Sequence, residues 1–236
     1  MKNAFFADRR DFFKYDLLLE ILEKSGFLHQ LTLLPMLTPS DHATGGSLFF
    51  YRCDCRRPEL YTFLKRCIAT DRRDIRELRT FFSGFVFRYS PYNDTTYLTR
   101  ENRHRYFLDV PGVFLRQALV FLDPDNGLEI ASMNSRNEDR YVKYAELQQL
   151  LGRMDDASVL AVYQHLPRQD RRTFFKSLKN RIHNKLKTQN LVCISDNNVC
   201  FVICVKDYQR FHLVHRPLEA YAKRLRLRLP FDDSYD

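Results

Sequence analysis

Two carboxylates and an amide follow directly after a short, wholly apolar run of the chain. The run Ala118–Leu122 ends at Asp123, Pro124, Asp125 and Asn126. A β-prone run without polar residues is typical of a strand buried on both faces, and a proline followed by an Asn-Gly turn ends such a strand. Ligands of open α/β sheets bind at the carboxyl ends of strands. The pattern therefore predicts a functional site here, and a plain polar turn is the alternative interpretation.

A second polar cluster follows another apolar strand pattern, at residues 158–163. His165 comes shortly after this pattern and precedes Pro167. If the two strands are neighbours in a parallel sheet, His165 and Asp123 open onto the same crevice. His165 is a candidate general base, although a histidine in a turn can also be structural, and the adjacent Gln164 is interpreted as structural.

Three charged residues lie around the start of the first helical pattern, at residues 10–24. Asp8 and Asp11 are placed to cap the helix, and Lys14 follows Asp11 at a spacing of i, i+3. Acidic residues at a helix start commonly accept backbone N–H groups, and oppositely charged pairs at this spacing are common on helix surfaces. The functional alternative is that these residues lie at the strand ends, where Lys14 contacts a phosphate or neutralises charge. In that case seven residues are expected to converge at the carboxyl ends of the strands: Asp8, Asp11, Lys14, Asp123, Asp125, Asn126 and His165.

The apolar periodicities predict strands that alternate with helices. This alternation implies a mainly parallel sheet with helical crossovers, and a C-terminal hairpin adds an antiparallel strand. We therefore expect a single α/β domain, a Rossmann-like three-layer sandwich over 1–231, followed by a flexible tail at 232–236. The strands at 31–37, 118–122 and 158–163 are expected side by side, with the hairpin of 191–205 at one end. Further strands are predicted at 47–51 and 85–89. Further helices are predicted at 59–82, with a break near Thr70 as an alternative to one continuous helix, within 100–117, and at 141–154, 168–187 and 208–229.

The chain carries an excess of positive charge, with a formal net charge of +9 and a pI of about 9.3. Basic residues concentrate in the helical pattern at 168–187, whose apolar residues can face a sheet while the cations stay in solvent. A basic chain with interleaved aromatic residues favours a polyanion such as DNA or RNA, and an ordinary solvated helix is the alternative. The residues predicted to contact nucleic acid are Arg168, Arg171, Arg172, Lys176 and Lys179.

No apolar run approaches the length needed to span a bilayer, and the N-terminal residues lack the apolar core of a signal peptide. We therefore expect a cytoplasmic protein without a membrane partner, in which the six cysteines remain thiols. Cys53, Cys55 and Cys67 are three potential zinc ligands. Structural zinc sites usually contain a second close cysteine pair, so no structural zinc is expected.

A chain with this order of elements resembles the class I S-adenosylmethionine-dependent methyltransferases. In the amino-methylating members the fourth strand ends in Asp-Pro-Pro-Tyr or a relative, and this chain has Asp123-Pro124-Asp125-Asn126. Residues 6–15, Phe-Ala-Asp-Arg-Arg-Asp-Phe-Phe-Lys-Tyr, resemble the His-Ala-Asp-Val-Leu-Lys-His segment of the bacterial 23S ribosomal RNA adenine-N6 methyltransferase of the J type. The three-Cys-motif partner proteins have a similar opening. Two short motifs therefore carry a resemblance that extends over most of the chain.

The resemblance implies that S-adenosylmethionine is the cofactor and that nucleic acid is the substrate. Asp123 would accept hydrogen bonds from the target amine with help from Asn126, and Lys14 would position a phosphate or the cofactor carboxylate. The chain departs from the family in having no Gly-x-Gly turn and in having Asp125 and Asn126 in place of the second proline and the aromatic residue. The residues expected near the cofactor are Asp8, Asp11, Asp41, Gly45 and Gly46.

Two other functions remain open. Asp123, Asp125 and Glu129 carry the hard oxygen ligands that Mg²⁺ uses, so a metal-dependent nuclease or phosphohydrolase is one alternative, with Lys14 neutralising phosphate charge and His165 as base. A Rossmann-like shell without a cofactor, serving to bind nucleic acid or protein, is the other. Separate titrations with S-adenosylmethionine and Mg²⁺ distinguish these possibilities.

Overall fold

Eight strands are described in the computed structural model, which covers residues 1–39, 57–196 and 198–232. They are β1 (Gln30–Leu34), β2 (Arg88–Pro91), β3 (Ala118–Leu122), β4 (Gly127–Leu128), β5 (Tyr141–Val142), β6 (Val159–His165), β7 (Leu191–Ser195) and β8 (Val199–Val205). Asp41, Gly45, Gly46 and the strand expected at 47–51 lie outside the described residues, as does 233–236 of the expected tail.

Six of these strands form the central sheet, in the order β2-β1-β3-β6-β8-β7. The strands β2, β1, β3 and β6 are mutually parallel, and β8 is antiparallel to both of its neighbours. The expected α/β fold, a mainly parallel Rossmann-like sheet with a C-terminal antiparallel hairpin, is confirmed. The expected neighbours β1, β3 and β6 lie side by side, and the hairpin β7–β8 forms one end of the sheet.

The described helices cover both faces of this sheet. They are α1 (Arg9–Ser25), α2 (Pro58–Ala69), α3 (Leu78–Phe82), α4 (Arg103–Leu108), α5 (Tyr144–Arg153), α6 (Arg171–Leu186) and α7 (Tyr208–Leu225). The helical pattern at 59–82 is divided at the break expected near Thr70, into α2, which ends at Ala69, and α3. The reason is local, because Asp71 adopts a left-handed φ of 54° and Asp74 caps a new short turn by accepting the Arg76 N–H.

The strand expected at 85–89 begins only at Arg88. Phe85 and Phe87 instead pack with Phe82, at ring-centroid distances of 5.7 and 5.8 Å. Packing in an aromatic cluster thus overrides the β propensity of these side chains.

Alternate residues of β3 face two separate cores. Leu119 and Phe121 pack with the apolar residues of α1, α2 and α7, whereas Val120 and Leu122 pack with those of α4, α5 and α6. This alternation makes the sheet the middle of three layers, because successive strand residues point to opposite faces. It also leaves Asp123 at the carboxyl edge of the sheet, where the apolar run ends.

Helix α6 buries the apolar stripe predicted for it. Phe174, Phe175, Leu178 and Ile182 are buried against the sheet, and Leu186 is partly buried. Arg172, Lys176 and Lys185 of this helix are exposed, and Arg171, Lys179 and Arg181 are partly exposed. Within the described parts of the chain, no helix combines the length and the apolar character required to cross a bilayer.

Candidate functional site

All seven residues expected to converge at the strand ends line one pocket. The pocket has a volume of about 220 Å³ and lies where β3 and β6 end and α1 begins. Parallel neighbours β3 and β6 present their carboxyl ends to the same edge, and α1 packs across that edge. The seven residues are Asp8, Asp11, Lys14, Asp123, Asp125, Asn126 and His165.

Asp8 is the residue that caps α1. Its Oδ1 accepts the N–H groups of Arg10 and Asp11, at 2.7 and 3.0 Å, so it satisfies two donors that a helix start leaves without partners. Asp11 therefore lies in the first turn of the helix and Lys14 in the second. Both are buried, so the interpretation of this pair as a surface ion pair is wrong.

Lys14 joins the helix to the strand end. Its Nζ contacts Asp11 Oδ1 at 2.8 Å and Asp123 Oδ2 at 2.6 Å, and it lies 4.8 Å from the centre of the Tyr163 ring. The three charged residues are no more than 4 % exposed. Burial of this kind is tolerated when the charges are paired and hydrogen-bonded, and the second oxygen of Asp11 accepts the Ala7 N–H at 2.8 Å.

Burial and pairing act against each other in the pKa values of this cluster. Burial raises the pKa of Asp11 to about 7, and the nearby Lys14 only partly offsets this. For Lys14, burial alone would lower the pKa, but the carboxylates of Asp11 and Asp123 hold it well above its ordinary value. Lys14 is therefore a permanent cation in the pocket.

Both oxygens of Asp125 are engaged. The Met1 amino group contacts Oδ1 at 2.7 Å, and the Thr38 hydroxyl donates to Oδ2 at 2.6 Å. Burial would raise the pKa of Asp125, but these two partners hold it below its ordinary value. The same amino group donates to the carbonyl oxygens of Met36 and Asp123, at 2.9 and 3.1 Å, and so lies in the crevice between the ends of β1 and β3.

The loop that follows β3 is held by Gln164. Its side-chain oxygen accepts the Leu128 N–H at 2.8 Å, and its amide donates to the carbonyl oxygens of Asn126 and His165, at 3.2 and 2.6 Å. The interpretation of Gln164 as structural agrees with these contacts. Gly127 crosses directly over it with a φ of 118°, and a Cβ at this position would lie 2.4 Å from Gln164 Oε1. Sequence reasoning identified the Asn-Gly turn but not this crossing, which depends on the neighbouring strand.

Three polar groups in the pocket have no hydrogen-bond partner among the described residues. They are the Oδ1 atom of Asp123, the side-chain amide of Asn126 and the imidazole of His165. Burial lowers the pKa of His165 to about 4, and the positive charges of Arg10 and Lys14 add to this effect. The ring is therefore neutral at pH 7, with one donor and one acceptor nitrogen. A carboxylate oxygen, an amide and a neutral imidazole together can bind a planar ligand that carries an amine.

We expect the replacement of His165 with asparagine to flatten the acid limb of the stability curve. The folded state binds the proton of His165 only near pH 4, whereas the unfolded chain binds it near pH 6.5, so stability falls as the pH falls through this window. We expect the free energy of unfolding of the wild type to fall by about 2–3 kcal/mol between pH 6.5 and pH 4. Urea unfolding of both proteins across the window measures it, and a difference between them that does not vary with pH contradicts the assignment.

The alternative metal ligands are not brought together. Glu129 is outside the residues that line the pocket, and its Oε1 accepts the Tyr144 N–H at 3.2 Å. Asp123 and Asp125 are each paired with an ammonium group. Within 1–39, 57–196 and 198–232, no group of three or more histidine, cysteine, aspartate or glutamate side chains is arranged to hold a metal ion.

The residues expected to contact nucleic acid lie on α6 and just before it. Arg168 is exposed in the turn before the helix. The other four, Arg171, Arg172, Lys176 and Lys179, line a separate groove of about 620 Å³. The opposite wall of this groove includes Arg228, which the sequence showed only as part of a basic run near the C-terminus.

Comparisons with known proteins found no protein related to this chain. No protein-family model matches the chain, and neither a curated protein nor a solved structure matches it. The functional argument therefore rests on the geometry of the pocket and of α6.

Proposed function

We propose that the protein is a methyltransferase-like protein that acts on nucleic acid and receives the amine-bearing edge of a base in its strand-end pocket. The observation that carries this proposal is the 2.6 Å contact between Lys14 and Asp123, which are 109 positions apart in the sequence. These two residues belong to the two motifs on which the resemblance to amino-methylating enzymes rests. Their meeting in one pocket supports the resemblance independently of either motif.

The groups without partners suit an amine-bearing base such as adenine or cytosine. Asp123 Oδ1 accepts a hydrogen bond from the exocyclic amine, and the Asn126 amide pairs with a neighbouring donor or acceptor on the ring. Lys14 holds the other Asp123 oxygen and so orients the carboxylate. Because Asp123 is only 2 % exposed, a base can reach it only after it leaves the stack of a duplex or from a single strand.

The described residues do not fit S-adenosylmethionine. The volume of about 220 Å³ is below the roughly 300 Å³ at which pockets for drug-sized ligands begin. Asp8 caps α1, both oxygens of Asp11 are engaged, and Met1 occupies the crevice between β1 and β3. Asp41, Gly45 and Gly46 lie outside the described residues. We therefore derive no methyl-transfer step, and this observation favours a cofactor-less nucleic-acid-binding module as the second candidate.

Thermal denaturation with one ligand at a time separates these functions, since a ligand that binds only the folded state raises the melting temperature. The ligands are S-adenosylmethionine, Mg²⁺ and a short single-stranded oligonucleotide. A rise with both S-adenosylmethionine and the oligonucleotide supports the methyltransferase-like function. A rise with the oligonucleotide alone supports the cofactor-less module, and a rise with Mg²⁺ alone would favour the phosphohydrolase. No rise with the oligonucleotide would overturn both nucleic-acid proposals.

We expect Asn126→Ala to weaken the uptake of a base without unfolding the protein. The Asn126 side chain is partly exposed and has no partner among the described residues, so its loss removes only a contact to the ligand, about 1 kcal/mol or a fivefold change in affinity. An oligonucleotide that carries 2-aminopurine reports the uptake, because its fluorescence rises when the base unstacks.

Asn184→Ala is the matched control for this variant, since Asn184 is exposed near the end of α6, away from the pocket. We expect the control to bind like the wild type. Equal uptake by Asn126→Ala and Asn184→Ala would contradict the role of the pocket.

A further inference from the structure

A groove lined by five cations runs between α6 and the segment that follows α7. The cations are Arg171, Arg172, Lys176, Lys179 and Arg228, and the volume of the groove is about 620 Å³. Two carboxylates also line it. Asp170 is engaged as the cap of α6, where it accepts the Thr173 N–H at 2.8 Å, and Asp232 contacts His215 at 3.2 Å. The lining of the groove therefore carries five positive and two negative side chains.

The C-terminal wall of the groove is held in place by backbone contacts. Arg228 exchanges two hydrogen bonds of 2.9 Å with Ser195 on the edge strand β7. Lys179 donates to the Phe231 carbonyl oxygen at 2.6 Å, and the Phe231 side chain is buried. The guanidinium of Arg228 is thus presented from a fixed backbone opposite α6, while its side chain remains exposed.

The spacing of the cations on α6 suits a chain of phosphates. Arg172, Lys176 and Lys179 follow each other at i, i+4 and i+7, so they share one face and rise by about 10 Å along the helix. A row of this length contacts successive phosphates of one strand. The first cation of the groove, Arg171, donates to the Pro167 carbonyl oxygen at 2.6 Å, so the groove starts at the turn that leaves His165 and the pocket.

We infer that this groove binds the phosphate backbone of a single strand of nucleic acid whose base enters the strand-end pocket. The inference rests on the proposed function for the identity of the base, and on the groove alone for the phosphates. A single strand is favoured over a duplex because the buried Asp123 at the floor of the pocket is reached only by an unstacked base. Arginine pairs with phosphate through two parallel hydrogen bonds, so Arg228 is the strongest anchor of the groove.

The test measures the affinity of the full chain for a short fluorescent single-stranded DNA, the RNA of the same sequence, and the matching DNA duplex. With four phosphate contacts on a single strand, raising the salt from about 50 to about 200 mM should weaken binding about 50-fold. Lys176→Glu and Arg228→Glu should each weaken binding about tenfold and reduce the salt slope by about one contact.

Lys185→Glu is the matched control. Lys185 is exposed on the same helix, about 14 Å further along it than Lys176, and lies outside the groove. We expect the control to bind nearly as the wild type does. Equal losses of affinity for Lys176→Glu and Lys185→Glu would overturn the proposal that the groove binds a single strand. Tighter binding to the duplex than to either single strand would overturn it as well. Tighter binding to vesicles of anionic lipid than to any oligonucleotide would also overturn it.

These experiments test base binding by the pocket and phosphate binding by the groove separately. If the groove variants lose affinity while Asn126→Ala takes up 2-aminopurine normally, phosphate binding by the groove is supported and base binding by the pocket is contradicted. If the groove variants bind normally while Asn126→Ala loses uptake, base binding by the pocket is supported and phosphate binding by the groove is contradicted.

Discussion

Replacing Lys14 with methionine is expected to destabilise the protein by about 3–5 kcal/mol at neutral pH. Methionine fills a similar volume but leaves the carboxylates of Asp11 and Asp123 buried side by side without their cation. An uncompensated buried charge is far more costly than the loss of an exposed ion pair. Urea unfolding of the wild type and the variant at one temperature gives the difference in free energy.

The loss should depend on pH in a definite direction. Without Lys14 the pKa of Asp11, which burial already raises, rises further, and a carboxyl group whose folded pKa is raised destabilises the fold as the pH rises from its unfolded pKa through that value. The variant should therefore approach the wild type in acid and fall furthest behind at neutral pH. Adding Asp123→Asn to the variant should recover part of the loss, because one buried charge is then removed.

Lys24→Met is the matched control on the same helix. Lys24 is exposed in the last turn of α1, where it contributes only its interaction with the helix dipole. We expect it to cost less than about 1 kcal/mol, with little pH dependence. Similar losses for the two methionine variants would mean that the buried cluster around Lys14 is not ionised as described.

Replacing Gly127 with alanine is expected to destabilise the protein by about 3 kcal/mol or more. The φ of 118° is a conformation that residues with a side chain rarely adopt, and the new Cβ would lie 2.4 Å from Gln164 Oε1. The Gln164 side chain would have to leave its contacts with Asn126 and Leu128, so the loop that carries Asn126 would lose its support. Unfolding measurements and 2-aminopurine uptake should both report the change.

Gly152→Ala is the matched control, because alanine at this position should increase the stability of the protein. Gly152 lies inside α5 with open space around its Cβ position, so alanine there should stabilise the protein by about 0.5–1 kcal/mol. A second variant, Gln164→Ala combined with Gly127→Ala, should remove the clash but retain the backbone strain. A Gly127→Ala protein as stable as Gly152→Ala would refute the proposed crossing over Gln164.

Local patterns were sufficient to predict the parts of the fold that depend on burial along one segment. The apolar run that became β3 is buried at every position, and the pattern at 158–163 became most of β6. The break near Thr70 was predicted, but periodicity did not show that the second helix begins only at Leu78, because a left-handed residue and a cap interrupt the backbone without disturbing the apolar spacing. Sequence patterns report which face of an element is apolar, and they report poorly where an element ends.

The residues of the candidate site could be predicted from sequence, but their contact partners could not. Asp123, Asn126 and His165 could be identified from sequence because they lie at or just beyond the carboxyl ends of apolar strands, and strand ends of a parallel sheet meet at one edge. The partners of those residues could not be identified. Lys14 contacts Asp123 across 109 positions, and Gln164 contacts Leu128 across 36, so neither contact leaves a periodic signal. Arg228 is similar, since only its pairing with Ser195 brings it opposite α6.

The amino-acid sequence alone was sufficient to predict the α/β class, the strand patterns that became β1, β3, β6, β7 and β8, the positive charge of α6 and the polar residues at the ends of β3 and β6. These properties follow from composition and from short-range alternation of apolar and polar residues. Which carboxylates are paired, and which oxygen of Asp123 has no partner among the described residues, depends on the packing of distant segments. The physical reason is that burial and pairing depend on neighbours brought together by packing, and their effect on charge is set by distances of a few ångströms that the order of residues does not contain.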